Sequence, residues 1–236
     1  AENTALSLLF IPHASEIGSA PVLWQGWTLE YEMFFYALCA MSLFLPAAHR
    51  IKVLCALLIV LITLGIVFQM PGPIARVYTN PLLLEFMAGV ALAVLWQRRA
   101  MPRPALGAAA LALGVCLFAV QGAQIAPFSG VRVLDWGLPA FLLVLGALSL
   151  EAAQRVPVSR TGLLLGDASY SIYLGHGFVV AGFVWFFADA PPLVRVLSCV
   201  AGAAVLSVCS HLWFERPVAA WLKSIRVRPR SHPVRP

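Results

Sequence analysis

Long apolar stretches, interrupted by short polar segments, constrain this chain more than any other feature of its sequence. A helix needs about 20 mostly apolar residues to cross a bilayer. With that length, and with the breaks made by proline, glycine and charge, we predict an all-α bundle of about seven transmembrane helices. The predicted spans are Val22–Leu45, Ile51–Gln69, Pro81–Trp96, Leu106–Val120, Leu134–Leu150, Ala168–Phe187 and Leu193–Phe214.

The composition excludes a water-soluble enzyme. Charged residues make up 11% of the 236 residues and hydrophobic residues 61%, whereas soluble domains carry about 25% charged residues. The chain therefore has too few polar groups to cover a surface in water, and it is too apolar to be disordered. We expect residues 1–225 to form the transmembrane bundle and residues 226–236 to form a basic tail.

The basic residues predict how the chain is oriented. Thirteen of the sixteen Lys and Arg residues fall in alternate loops or in the C-terminal segment, on one side of the predicted spans. Positive residues concentrate in cytoplasmic loops, so we expect the N-terminus outside and the C-terminus in the cytoplasm. The net charge of +6 is then expected to serve contact with anionic lipids rather than with nucleic acid.

A few ionisable side chains lie within or at the ends of the predicted spans, where a charge at mid-helix costs at least about 2.5–3.5 kcal/mol. They are Glu30, Glu32, Glu85, His176 and Glu215. Helical spacing places Tyr36 on the face of Glu32, Tyr173 on the face of His176, and Glu30 away from Glu32. Each residue also has a structural alternative, namely an ion pair, solvation at the interface or a structural hydrogen bond.

Four stretches resemble signatures of the acyltransferase 3 family, and of its exopolysaccharide-modifying branch in particular. They read GWTLEYEMFFY at 26–36, LEFMAG at 84–89, SYSIYLGH at 169–176 and FERP at 214–217. They follow the family's order at roughly its spacing. The resemblance implies a bacterial inner-membrane enzyme of about ten helices. Such enzymes move an acetyl or other acyl group from cytoplasmic acyl-CoA onto a hydroxyl of a surface glycan.

On this hypothesis, two residues are expected to be catalytic and to line a polar cavity, Glu32 and His176. Five others are expected to bind substrate: Glu30, Tyr36, Glu85, Tyr173 and Glu215. Neither a metal nor a bound cofactor is expected, because acyl-CoA, with acetyl-CoA as the simplest case, is a co-substrate. The expected partners are acyl-CoA, a glycan or lipid-linked sugar, and membrane lipids.

The chain departs from the family at its start. The family's first helix, with a basic residue followed by a deep catalytic histidine, has no counterpart in this sequence. We therefore expect the chain to be the C-terminal two-thirds of such an enzyme, and to be inactive by itself. Two other functions stay open at this point: a transporter or flippase for a lipid-linked sugar, which would also bury carboxylates in a helix bundle, and a non-catalytic membrane scaffold.

Overall fold

A computed structural model describes residues 2–13, 26–69, 71–123, 131–157, 159–187 and 189–225. These residues form eleven α-helices and two π-helical turns, and no β-strand occurs among them. The chain divides into two compact units, Ala1–Pro157 and Val158–Pro236. The predicted tail at 226–236 lies outside the described residues.

Seven helices belong to the first unit. They are α1 (Glu2–Leu8), α2 (Trp27–Ser42), α3 (Ala47–Phe68), α4 (Pro73–Tyr78), α5 (Leu83–Gln97), α6 (Pro104–Gly122) and α7 (Leu138–Ala152). A π-helical turn, Val133–Gly137, leads into α7. Proline stands in the first turn of α4, α6 and α7, where the N–H that it lacks would have no partner within the helix.

Four helices belong to the second unit. They are α8 (Arg160–Asp167), α9 (Ser169–Phe186), α10 (Pro192–Ser210) and α11 (Arg216–Ile225). A second π-helical turn, His211–Glu215, joins α10 to α11. The Ser159 side chain caps α8 by accepting a hydrogen bond from the Gly162 amide, which fixes where that helix begins.

Six helical segments among the described residues are long and apolar enough to cross a membrane, which confirms the predicted all-α transmembrane bundle. They are Ala47–Phe68, Pro73–Gln97, Pro104–Gly122, Val133–Ala152, Ser169–Phe186 and Pro192–Ser224. The count is close to the predicted seven. The described part of the predicted first span is α2, which has 16 residues, and residues 14–25 lie outside the described residues.

Large apolar side chains cover the outer surfaces of both units. Phe44 is 92% exposed in the first unit, and Trp185 is 75% exposed in the second. Contiguous apolar surface of this kind is avoided in contact with water, whereas it matches the hydrocarbon of a bilayer. Together with the six apolar segments, it identifies the chain as an integral membrane protein.

The core of the first unit brings the start of α2 against α4 and α5. Leu58 of α3 and Leu83 of α5 are fully buried, and Tyr31 of α2 is 7% exposed within the same cluster. The rings of Phe34 and Tyr78 stack with their centroids 4.1 Å apart. This packing holds the first turn of α2 rigidly beside two other helices.

Helices α6 and α7 pack closely and antiparallel through small residues. A Cβ added to Gly107, at the start of α6, would lie 2.5 Å from the Cβ of Ser149, at the end of α7. A Cβ added to Gly146 would lie 2.6 Å from the Gly107 carbonyl oxygen and 2.7 Å from the Leu111 amide nitrogen. Small residues allow this backbone approach, which is a common basis of helix association in membranes.

We predict that Gly146→Ala destabilises the full-length protein by about 1–3 kcal/mol, because backbone atoms of α6 cannot move aside as a flexible side chain would. The matched control is Gly89→Ala in α5, where an added Cβ meets nothing within 4 Å. Thermal unfolding in detergent should show a lower Tm for Gly146→Ala alone. Equal Tm values for the two variants would contradict the packing described.

Candidate functional site

The first turn of α2 buries a carboxyl group. Because α2 begins at Trp27, Glu30 falls in its first turn and faces the core. Glu30 is 2% exposed, and its Oε1 atom is buried with no hydrogen-bond partner among the described residues. Buried polar atoms are nearly always hydrogen-bonded in native proteins, because leaving one unpaired is costly. An exception at this depth points to a partner outside the described part of the chain or to a ligand.

A buried histidine accompanies this carboxyl group. His13 follows α1 and is 6% exposed. Its Nδ1 lies 3.0 Å from the Ile11 carbonyl oxygen, and its Nε2 lies 3.4 Å from Ser7 Oγ. A carbonyl oxygen only accepts, so Nδ1 carries the proton and Nε2 is the basic nitrogen of the neutral ring. The charges of His13 and Glu30 lie near enough to interact.

Aromatic rings and one arginine complete what we call the Glu30 cluster, namely His13, Trp27, Glu30, Tyr31 and Arg132. The Arg132 guanidinium lies 5.0 Å from the centroid of the Trp27 ring. That ring meets the Tyr31 ring edge-on, with the centroids 6.0 Å apart. The cluster therefore combines a carboxyl group, an imidazole, a guanidinium and aromatic faces at one end of an otherwise apolar unit.

Glu85 occupies the first turn of α5 and lies against the π-helical turn before α7. Its Oε1 would be 3.0 Å from a Cβ added to Gly137, so the absence of a side chain there makes room for the carboxyl group. This oxygen is also buried without a hydrogen-bond partner among the described residues. The Glu85 side chain borders a groove of about 480 Å³ that runs along α5 past Gly89.

Glu32 lies on a different face of α2 from Glu30, as the two-residue spacing predicts. The Tyr36 hydroxyl donates a hydrogen bond of 3.3 Å to Glu32 Oε1, which is the predicted contact one turn along the helix. Tyr36 is 56% exposed, and Glu32 is half-buried. Within the first unit, the structure thus places Glu32 and Tyr36 together and keeps them apart from the Glu30 cluster.

Glu215 organises a polar cluster in the second unit. Its Oε2 accepts hydrogen bonds from Ser171 Oγ at 2.5 Å and from His211 Nδ1 at 2.9 Å. His211 and Glu215 stand at the two ends of the π-helical turn between α10 and α11. Such wider turns occur frequently at functional sites. Ser171 and Glu215 both border an apolar groove of about 660 Å³ between α9 and the end of α10.

His176 lies two turns into α9 and is half-buried. Its Nδ1 donates a hydrogen bond of 2.6 Å to the Tyr173 carbonyl oxygen, so Nε2 is the nitrogen that can act on a substrate. The Tyr173 and His176 rings are in contact, with their centroids 5.9 Å apart, as their spacing predicts. His176 is not among the residues that border the groove of the second unit.

Three residues of these clusters escaped the sequence analysis: His13, Arg132 and His211. His13 and Arg132 lie before helices, where no apolar periodicity shows which way a side chain points. His211 did offer a signal, since it stands four residues before Glu215. Side chains at that spacing meet on a helix.

Both clusters pair a carboxyl group with an imidazole, and these groups exchange protons and bind hydroxyl groups. In the part of the chain that the structure describes, no group of three or more His, Cys, Asp or Glu side chains is arranged to hold a metal ion. The chemistry supported by the described residues is therefore acid–base catalysis and hydrogen bonding.

We predict that Ser171→Ala lowers the Tm of the full-length protein, because it removes the hydrogen bond that joins α9 to Glu215. A hydrogen bond to a charged group contributes about 1.5–3 kcal/mol, and partial exposure of Glu215 reduces this to about 1 kcal/mol. The matched control is Ser198→Ala in α10, where the hydroxyl donates to the Arg195 carbonyl oxygen of the same helix. A Tm for Ser171→Ala no lower than that of the control would rule out a structural contribution from this bond.

Comparison with known proteins gives the chain a family. The profile of the family described as "Acyltransferase domain", Acyl_transf_3, matches residues 4–212. The "Exopolysaccharide production protein ExoZ" of Rhizobium meliloti (strain 1021) is 38% identical over 225 residues, which cover 92% of this chain and 69% of that protein. No solved structure matches the chain. Since the family match extends over most of its length, this chain belongs to the acyltransferase 3 family and is that of an O-acyltransferase.

Proposed function

We propose that the protein transfers an acyl group, with acetyl as the simplest case, from acyl-CoA to a hydroxyl group of an exported polysaccharide. It does so as an integral protein of a bacterial inner membrane, with its C-terminus in the cytoplasm. The observation that carries the proposal is Glu30, a carboxyl group that is 2% exposed and has an unpartnered oxygen inside an apolar helical unit. Ionisable groups in such positions are costly and mark functional sites.

The choice of a polysaccharide as acceptor is supported by two independent facts. The relative from Rhizobium meliloti is named for exopolysaccharide production. The Glu30 cluster presents a carboxyl group beside aromatic rings, and a sugar offers the matching surfaces, with hydroxyl groups at its edge and C–H groups on its faces. An O-acyltransferase needs an acceptor with a free hydroxyl group, which a sugar supplies.

The choice of acyl-CoA as donor is supported by the distribution of charge. Thirteen of the sixteen Lys and Arg residues lie on the side that is cytoplasmic under the positive-inside rule. Among them, Arg98, Arg99 and Arg103 fall between α5 and α6. Guanidinium groups bind phosphates with paired hydrogen bonds, so this side suits the phosphates of coenzyme A.

The reaction requires a base and stabilisation of the charge that develops on the thioester oxygen. The sugar O–H bond breaks as its oxygen bonds the acyl carbon, the C–S bond breaks, and the thiolate leaves and takes up a proton. We assign His176 Nε2 to the thioester and Glu32 to the orientation of the acceptor or of a basic group. The hydrogen bonds at His176 Nδ1 and Glu32 Oε1 hold these side chains in fixed positions.

The direct test supplies purified full-length protein in nanodiscs with acetyl-CoA labelled in its acetyl group, together with polysaccharide from the organism that encodes it. We expect label to appear in the polysaccharide as an alkali-labile ester. Label that stays in acetyl-CoA while the protein moves glycan across a membrane would identify a transporter. Neither activity would leave a scaffold.

We predict that Glu32→Gln and His176→Ala each lower the rate of label transfer at least tenfold, since positioned acid–base groups contribute about 10²–10⁴-fold. Glu151→Gln and His49→Ala are the matched controls, because Glu151 and His49 are exposed residues of α7 and α3. Rates should be compared at equal protein concentration after confirming equal Tm values. Wild-type rates for Glu32→Gln and His176→Ala would show that the two residues are not catalytic.

A further inference from the structure

The Glu30 cluster contains two buried polar groups that the roles proposed above leave unused, Glu30 and His13. Glu30 is 2% exposed and His13 is 6% exposed, although His13 lies outside any helix. Burial of a loop histidine against the first turn of α2 requires the chain after α1 to fold inward. Neither residue forms an ion pair with the other among the described residues, although their charges interact.

The hydrogen-bonding capacity of this pair identifies what it can bind. Glu30 Oε1 is an acceptor that lacks a donor among the described residues. His13 Nε2 is also an acceptor, because the Ile11 carbonyl oxygen takes the Nδ1 proton. The Ser7 hydroxyl lies 3.4 Å from Nε2, which is long for a hydrogen bond donated by a hydroxyl group, so an incoming donor can displace it.

Two neighbouring acceptors fit a ligand with two neighbouring donors. Adjacent hydroxyl groups on a sugar ring meet this requirement, since each donates one hydrogen bond. The Trp27 and Tyr31 rings beside Glu30 offer apolar surface to the C–H face of such a ring. The Arg132 guanidinium lies over Trp27, and as a donor it can bond further sugar oxygens.

We propose that Glu30 and His13 form the acceptor subsite, in which each accepts a hydrogen bond from one of two adjacent hydroxyl groups of the sugar that receives the acyl group. Glu30 and His13 thus set affinity and specificity for the acceptor. The subsite rests on the proposed polysaccharide acylation, and it adds the two residues that choose the sugar.

The test measures acceptor binding directly. Fluorescently labelled oligosaccharides released from the exopolysaccharide of the organism that encodes the protein are titrated into full-length protein without acyl-CoA. We expect Glu30→Ala and His13→Ala each to raise the Kd for these oligosaccharides about three- to tenfold, the effect of one lost hydrogen bond. His13→Gln should recover part of the affinity, because its amide oxygen can accept in place of Nε2.

Donor kinetics separate a binding role from a structural one. The variants should raise the acceptor KM by the same factor and leave the KM for acetyl-CoA and the Tm near wild type, as in the controls Glu151→Gln and His49→Ala. An unchanged Kd for both alanine variants, or equal increases in both KM values with a lower Tm, would overturn the subsite. Weakened binding by the variants in a protein that never transfers label would instead uphold the subsite and refute the proposed transfer.

Discussion

A carboxyl group buried in an apolar helical unit is the constraint around which the first unit is arranged. Removing a carboxyl group from water is expensive unless hydrogen bonds or opposite charges compensate. The structure provides part of that compensation to Glu30 through the nearby charge of His13, and it leaves Oε1 without a donor. A ligand that supplies the donor would then be stabilised by the same cost that the empty site carries.

The surrounding helices keep this arrangement rigid. Stacking of Phe34 on Tyr78 and the buried side chains of Leu58 and Leu83 hold the start of α2 in place. The close contact between Gly146 and the backbone of α6 fixes α7 and the turn that precedes it. A preorganised site loses less free energy on binding than one that must first become ordered, so packing far from Glu30 contributes to its function.

The sequence predicted much of this structure because its signals are local. Apolar length located the spans, and the spacing of Glu32 with Tyr36 and of Tyr173 with His176 predicted contacts that the structure contains. Glu30 and Glu32 were correctly expected to face different ways. The two π-helical turns carry no comparable signal, since one extra residue in a turn depends on tertiary packing. His13 was not predicted as a site residue because a loop has no periodicity, and its burial depends on α2, 14 or more residues later.

The account depends most on what fills the space beside Glu30. A cryo-EM structure of the full-length protein, determined with an oligosaccharide of the organism's own exopolysaccharide, tests this directly. We expect a sugar ring beside Trp27, with a hydroxyl group within hydrogen-bond distance of Glu30 Oε1. A protein side chain donating to Oε1 in both the free and the sugar-bound protein, with the sugar held elsewhere, would contradict the account.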